Sequence, residues 1–319
     1  MKLLGVLGAV LVGAAACSGP SGSPDAAPDT PIDAAPTELP MLLSQTGLYT
    51  DIAAKTLAHD MREFSPRHAL WSDAAVKTRW IALPEAGVID TSDLDHWAFP
   101  VGTKLFKEFA KDGKRLETRL IWRVADTGDR ERDTLFGTYL WNDAETEATF
   151  AREGGENVRG TQHDAPSAET CWKCHIGETG RALGMSAIQL PSLGDWPLSQ
   201  PPSQTFAAPN AAMGYLHANC GHCHNPNGSA WSSSNMVLRL AATDSDPAAT
   251  QLYQSTVGVP LQQWLNHGFT DRIVAGDADT SAIPYRMSQR AANMQMPPIA
   301  TEMPDTEGLE LVRLWIDSL

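Results

Sequence analysis

Arg115-Leu116-Glu117-Thr118-Arg119-Leu120-Ile121-Trp122-Arg123-Val124 alternates in character along its length. Leu116, Thr118, Leu120, Trp122 and Val124 fall on one face, and Arg115, Glu117, Arg119 and Arg123 on the other. That period predicts a half-buried strand with one solvated face. Asp112-Gly113 lies just before it, and the strand-like run Thr103 to Ala110 lies before that. An Asp-Gly pair between two such runs predicts a hairpin. Further runs follow at Leu135 to Trp141 and Glu147 to Arg152, with Asn142-Asp143 as a turn, and Val76 to Leu83 is an earlier one. Several short strands at this spacing predict an antiparallel sandwich or barrel over residues 41–160. Within it, His68 and His96 lack metal-ligand spacing, and Trp71, Trp80, Trp97, Trp122 and Trp141 read most simply as core.

Upstream of this block the chain changes character. Met1-Lys2 is followed by Leu3 to Ala16, built only from Gly, Ala, Val and Leu. This is an export signal, shorter than the roughly 18 residues a membrane span requires. Ala14-Ala15-Ala16-Cys17 resembles the bacterial lipobox, which implies a signal peptide over residues 1–16 and a diacylated Cys17. Ordinary cleavage after Ala16 is the alternative. Two acyl chains suffice for stable anchoring. Residues 17–40 are rich in Pro, Asp and Ala, contain no Lys or Arg, and read as a disordered tether.

Composition narrows the function. The chain has 319 residues, 38 acidic against 24 basic side chains, and a net charge of −14. A nucleic-acid partner is excluded, because phosphate binding needs a basic face. Residues 1–40 hold one Lys and four acids, so the −14 becomes −11 for the rest.

Four of the five cysteines stand in two C-x-x-C-H motifs, Cys171-Trp172-Lys173-Cys174-His175 and Cys220-Gly221-His222-Cys223-His224. Two thiols three positions apart can form thioethers to both vinyl groups of one haem, and the next imidazole then falls under the iron. The expectation is two covalent c-type haems, attached through Cys171 and Cys174 and through Cys220 and Cys223, with His175 and His224 as axial ligands. A Cys₄ zinc site and a redox dithiol are the alternatives, although neither uses the two histidines. Met296, in Met296-Pro297-Pro298, is the expected sixth ligand of the second haem, with Met294 behind it. For the first haem, Met185, His163 and Met213 are candidates. The fifth cysteine is the one given to the lipid, so no disulfide is expected.

Ala211 to Asn219 reads as a helix capped by Asn210 and running into the second motif. Leu309, Val312, Ile316 and Leu319 share one face of a terminal helix. This outline resembles the class I cytochrome c domain over residues 205–319, with 161–204 as a first haem-binding segment. The expected whole is thus an α+β multidomain chain, a β module followed by a mainly α-helical haem domain.

Leu70-Trp71-Ser72-Asp73-Ala74, Trp80-Ile81-Ala82-Leu83-Pro84, Phe99-Pro100-Val101-Gly102-Thr103, Glu117-Thr118-Arg119-Leu120, His163-Asp164-Ala165-Pro166-Ser167 and the run Val274 to Met287 together resemble a family of exported bacterial di-haem c-type cytochromes. The resemblance spans about residues 45–319 and implies haem at positions 171, 174, 175, 220, 223 and 224, with Met296 as ligand. No reaction is established for that family; the expectation here is a lipoprotein in the periplasm, or on the outer membrane of a Gram-negative bacterium, passing single electrons to or from a partner oxidoreductase. A di-haem redox enzyme is the competing expectation. In that reading the β module resembles P460-type cytochromes, and Lys104 and Lys107 are the lysines placed to meet a haem. A third expectation is a surface or binding lipoprotein that uses the β module.

Overall fold

The computed structural model describes residues 36–129, 131–190 and 193–319. The export signal, Cys17 and nearly all of the tether lie outside them. Eight strands and six helices are present among the described residues. The strands are β1 (Tyr49–Asp51), β2 (Thr56–Leu57), β3 (Arg62–Glu63), β4 (Val76–Ala82), β5 (Lys104–Lys111), β6 (Lys114–Arg123), β7 (Thr134–Trp141) and β8 (Ala148–Phe150). The helices are α1 (Ala168–His175), α2 (Ala211–Asn219), α3 (Trp231–Ser234), α4 (Gln251–Gln254), α5 (Ala282–Ser288) and α6 (Thr306–Asp317).

β1 and β2 form a two-stranded ribbon. β3 to β8 form one antiparallel sheet in chain order, each strand paired with its neighbours in sequence. Asp112 (φ 52°) and Gly113 (φ 76°) turn the β5–β6 hairpin, as the primed two-residue turn requires.

The open meander replaces the expected sandwich or barrel, because no second large sheet covers it; other chain covers both faces instead. Trp80, Phe106, Leu120 and Tyr139 pack on Leu43, Leu48 and Tyr49. On the other face, Ile81 and Leu105 join a core that reaches Met213, Leu216, Val312 and Ile316. The face of β6 expected to be solvated is therefore covered, and Glu117 on it is fully buried.

The expected mainly α-helical haem domain is not there. Five of the six helices lie in residues 205–319, the longest has 12 residues, and together they hold fewer than a third of that stretch. The sequence gives the reason. Pro209, Pro226, Pro247, Pro260, Pro297, Pro298 and Pro304 lie outside the helices, and a helix cannot propagate through a residue that lacks the N–H and clashes with the preceding turn; Pro284 is tolerated because it sits in the first turn of α5. Where no proline intervenes, helices form with their caps. Asn210 Oδ1 accepts from Met213 N at 2.8 Å, and Asp305 Oδ1 accepts from Gly308 N at 3.0 Å. α2 and α6 pack closely at Gly308, where a Cβ would lie 2.1 Å from the Tyr215 ring.

Residues 67–73 tie the sheet to this region. Trp71 N donates to Asn219 Oδ1 at 2.6 Å, and Trp71 Nε1 donates to Met303 O at 2.9 Å. Asp73 Oδ1 accepts from Glu302 N and Met303 N, both at 2.9 Å. The described residues form one compact unit. No helix among the described residues is long and apolar enough to cross a membrane.

Candidate functional site

α1 carries the first motif. Ser167 caps it, its hydroxyl accepting from Thr170 N at 3.1 Å. Spacings of three and four bring Cys171, Cys174 and His175 to one side of the helix. His175 Nδ1 lies 2.6 Å from Arg181 O and must donate to it, which leaves Nε2 as the free ligand atom. The Arg181 guanidinium returns to the carbonyls of His175, Ile176 and Glu178, so the loop that supplies the acceptor is itself tied down. Phe136 of β7 packs on both Trp172 and His175, with ring centroids 4.9 and 5.2 Å away.

Between α1 and the sheet lies a cleft of about 100 Å³, lined by Cys171, Cys174 and His175 on one side and by Leu105, Ile121 and Phe136 on the other. Its wall also holds a line of cations. Strand register sets Arg79 opposite Lys107 and Lys107 opposite Arg119, across β4, β5 and β6. Like charges directly opposite are unfavourable in a sheet, and one carboxylate answers them. Glu117 Oε2 accepts from Arg119 Nε at 3.0 Å, and Glu117 Oε1 accepts from His163 Nε2 at 2.7 Å. Burial, and then the charges of Arg79, Arg119 and Lys77, hold the Lys107 amine well below its ordinary pKa.

The second motif leaves the end of α2, with Cys220 as its C-cap. His224 Nδ1 is 3.2 Å from Ser234 Oγ, whose own proton goes to Ala230 O at 2.8 Å. Nδ1 of His224 therefore donates, and Nε2 is again the free ligand atom. Burial pushes His175 down to about 3 and His224 down to about 4, so both imidazoles are neutral at pH 7. Burial also pushes the Cys220 thiol up to about 12.

The two motifs, about fifty residues apart in the chain, are neighbours in the fold. Cys174 Sγ, Cys223 Sγ and a ring nitrogen of His222 all lie within 4.8 Å of one another. Ser229 Oγ donates to Lys173 O at 2.8 Å. A Cβ at Gly177 would meet His222 O at 2.2 Å, so the backbones following and within the two motifs touch. A hydrogen bond from the Cys174 thiol makes Cys223 the more acidic of the pair. All four cysteines are free. Two thiols and an imidazole are a donor set suited to zinc or another borderline metal. His222 had no signal in the sequence beyond lying inside its motif.

The remaining candidates are dispersed. Met185 and Met213 are buried in the main core, and His163 is engaged with Glu117. None of these three lines the cleft. Met294 and Met296 lie in a loop held by Arg286: Arg286 Nε donates to Met294 O at 3.2 Å, and Met296 N donates to Arg286 O at 2.9 Å. Arg286 is also among the charges that depress His224. Lys104 donates to Thr46 O and sits over Trp122, away from the cleft, whereas Lys107 lines it. His68 packs on Gly214, and His96 pairs with Asp93.

No protein-family model, curated protein or solved structure matches the chain, so a functional reading rests on the residues and their geometry alone.

Proposed function

We propose that the protein is an exported, lipid-anchored di-haem c-type cytochrome that passes single electrons to or from a partner redox protein. The observation that carries this reading is the state of the two motif histidines. His224 is buried and His175 half-buried, each donates Nδ1–H to a fixed acceptor, and each keeps Nε2 free, as metal-ligating histidines do. In this reading Cys171, Cys174, Cys220 and Cys223 hold the haems covalently, His175 and His224 ligate iron, and Met296 is the sixth ligand at the second site. A bound haem supplies reversible one-electron chemistry at iron.

The chain's own residues set the conditions. The Arg181 carbonyl and the Ser234 hydroxyl orient the two imidazoles. Leu105, Ile121 and Phe136 make an apolar wall beside the first site. Arg79 and Arg119 place positive charge beside it, which favours the reduced state. The acidic balance of the chain steers a basic partner at low ionic strength.

A second reading is supported by the Cys174–His222–Cys223 cluster, which would hold a single zinc ion with one position open. Expression with the haem-maturation apparatus, followed by intact mass and a pyridine haemochrome assay, separates the two. Two covalent haems per chain are expected. One equivalent of zinc and no haem refutes the cytochrome reading. Met296→Ala should abolish the sulfur-to-iron charge-transfer band while both haems stay attached. Membrane fractionation of Cys17→Ala should release the protein in soluble form if Cys17 carries the anchor.

A further inference from the structure

We infer that the cleft between α1 and the sheet binds one small oxyanion of the sulfate or phosphate kind, held by Arg79 and Lys107. The site goes beyond the cytochrome reading, since neither residue belongs to a cysteine motif.

The cleft wall carries more positive charge than the surrounding side chains neutralise. Arg79, Lys107 and Arg119 stand side by side on β4, β5 and β6, and all three line the cleft. Directly paired strand residues are about 5 Å apart, so the row spans about 10 Å. The chain is acidic as a whole, yet among the described residues no Asp or Glu lines this cleft. Glu117 is already taken by Arg119 and His163.

The donors are unanswered as well. Arg79 is only 8% exposed, and its one hydrogen bond among the described residues runs from Nη1 to Lys77 O at 3.4 Å. Lys107 Nζ rests 4.9 Å from the centroid of the Phe109 ring and makes no hydrogen bond among the described residues. Neither cation has a carboxylate partner there. Buried donors without acceptors are rare and costly, and two of them on the wall of one cleft mark a place for an acceptor. A neutral Lys107 amine still donates, so the pair can hold an anion in either protonation state of the lysine.

Shape and size select the ligand. The guanidinium fork of Arg79 matches two oxygens of a tetrahedral or planar oxyanion, and Lys107 offers a point donor one strand away. The cleft measures about 100 Å³, whereas sites for drug-sized ligands measure about 300–1,000 Å³. This space admits an inorganic oxyanion and is too small for a nucleotide. Ala300, which lines the cleft, is exposed, so the cleft reaches solvent. The ion shares the cleft with Cys171, Cys174 and His175, and its arrival changes the electrostatic setting of the first motif.

Isothermal titration calorimetry of sodium sulfate and of sodium phosphate into the full-length protein, dialysed into chloride buffer, tests the site. Sodium chloride at matched ionic strength is the control. Heat of binding is a better readout than melting temperature, because sulfate stabilises folded proteins generally. One saturable site per chain is expected. Arg79→Met and Lys107→Met should each weaken binding by about tenfold or more, whereas Lys107→Arg, which keeps a cationic donor, should bind nearly as well as wild type. Far-ultraviolet circular dichroism checks the fold of each variant, and if Arg79→Met does not fold, the two Lys107 variants decide. Heats equal to the chloride control would overturn the site, and binding unchanged in the Met variants would place it elsewhere and overturn it too. Succinate binding more tightly than sulfate would overturn the assigned ligand class. None of these outcomes alters the haem count, which mass alone decides.

Discussion

Glu117→Gln is the substitution on which the structure speaks most directly. Glu117 is fully buried, and its two oxygens accept from Arg119 Nε, Arg119 Nη2 and His163 Nε2. Glutamine keeps the shape but replaces one oxygen with an NH₂. In either orientation of the amide, that NH₂ meets an N–H of Arg119, donor against donor. The line Arg79–Lys107–Arg119 also loses its one carboxylate. Breaking a buried ion pair by removing one partner costs about 3–5 kcal/mol, and the loss here should fall in that range.

The pH dependence gives the reasoning a second check. Burial alone would raise the Glu117 pKa, but the charge of Arg119 and the hydrogen bonds from His163 and Arg119 outweigh it, and the net shift is downward. A carboxylate with a depressed folded pKa contributes stability that is present above its unfolded pKa of about 4.3. That stability is lost as the pH falls through the folded value. Urea unfolding of wild type and Glu117→Gln should therefore differ by about 3–5 kcal/mol at pH 7, with the gap closing at pH values below about 4. A gap under about 1 kcal/mol at pH 7, or one that persists unchanged in acid, would refute the picture of a buried carboxylate holding the cationic line together.

Two further outcomes follow from the same coordinates. Lys107→Met removes the central charge of the line and should stabilise the protein at pH 7 by about 1 kcal/mol. Because the folded pKa of Lys107 is depressed, the unfolded chain binds more protons, so wild-type stability should rise with pH up to about 10.4; the variant should lack that rise in alkaline urea titrations. Gly308→Ala would ordinarily favour a helix by about 1 kcal/mol, but the new Cβ would meet the Tyr215 ring at 2.1 Å. A net loss of about 1–3 kcal/mol is expected in thermal unfolding, largely recovered when Tyr215→Ala is added.

The parts of the molecule legible in the sequence are those set by neighbours in the chain. Asp112-Gly113 marks its hairpin because only positive φ closes that turn. Asn210 and Asp305 mark helix starts because their side chains bond N–H groups three residues on. The motifs too are local, since a helix end alone brings Cys171, Cys174 and His175 together. What depends on distant chain was not legible. Arg115, Glu117, Arg119 and Arg123 have the pattern of a solvated face, and nothing near them in sequence says that His163, 46 positions after Glu117, closes over it. Nor does any local feature say that Gly177 and His222 touch. The two helices with local signals, α2 and α6, are where their caps put them, but the likeness to a class I cytochrome c filled the stretch between them with helix that its prolines do not allow.

The strap at residues 67–73 bears on how the chain reaches this state. Trp71 is held by Asn219 and Met303, which lie 148 and 232 positions further along. A chain is synthesised N-terminus first, so the strands can pair while the partners of Trp71 are still to come. Contacts of such long sequence separation form slowly. The strap therefore closes last, and until it does, the two cysteine motifs remain on an incompletely folded chain whose thiols are open to solvent.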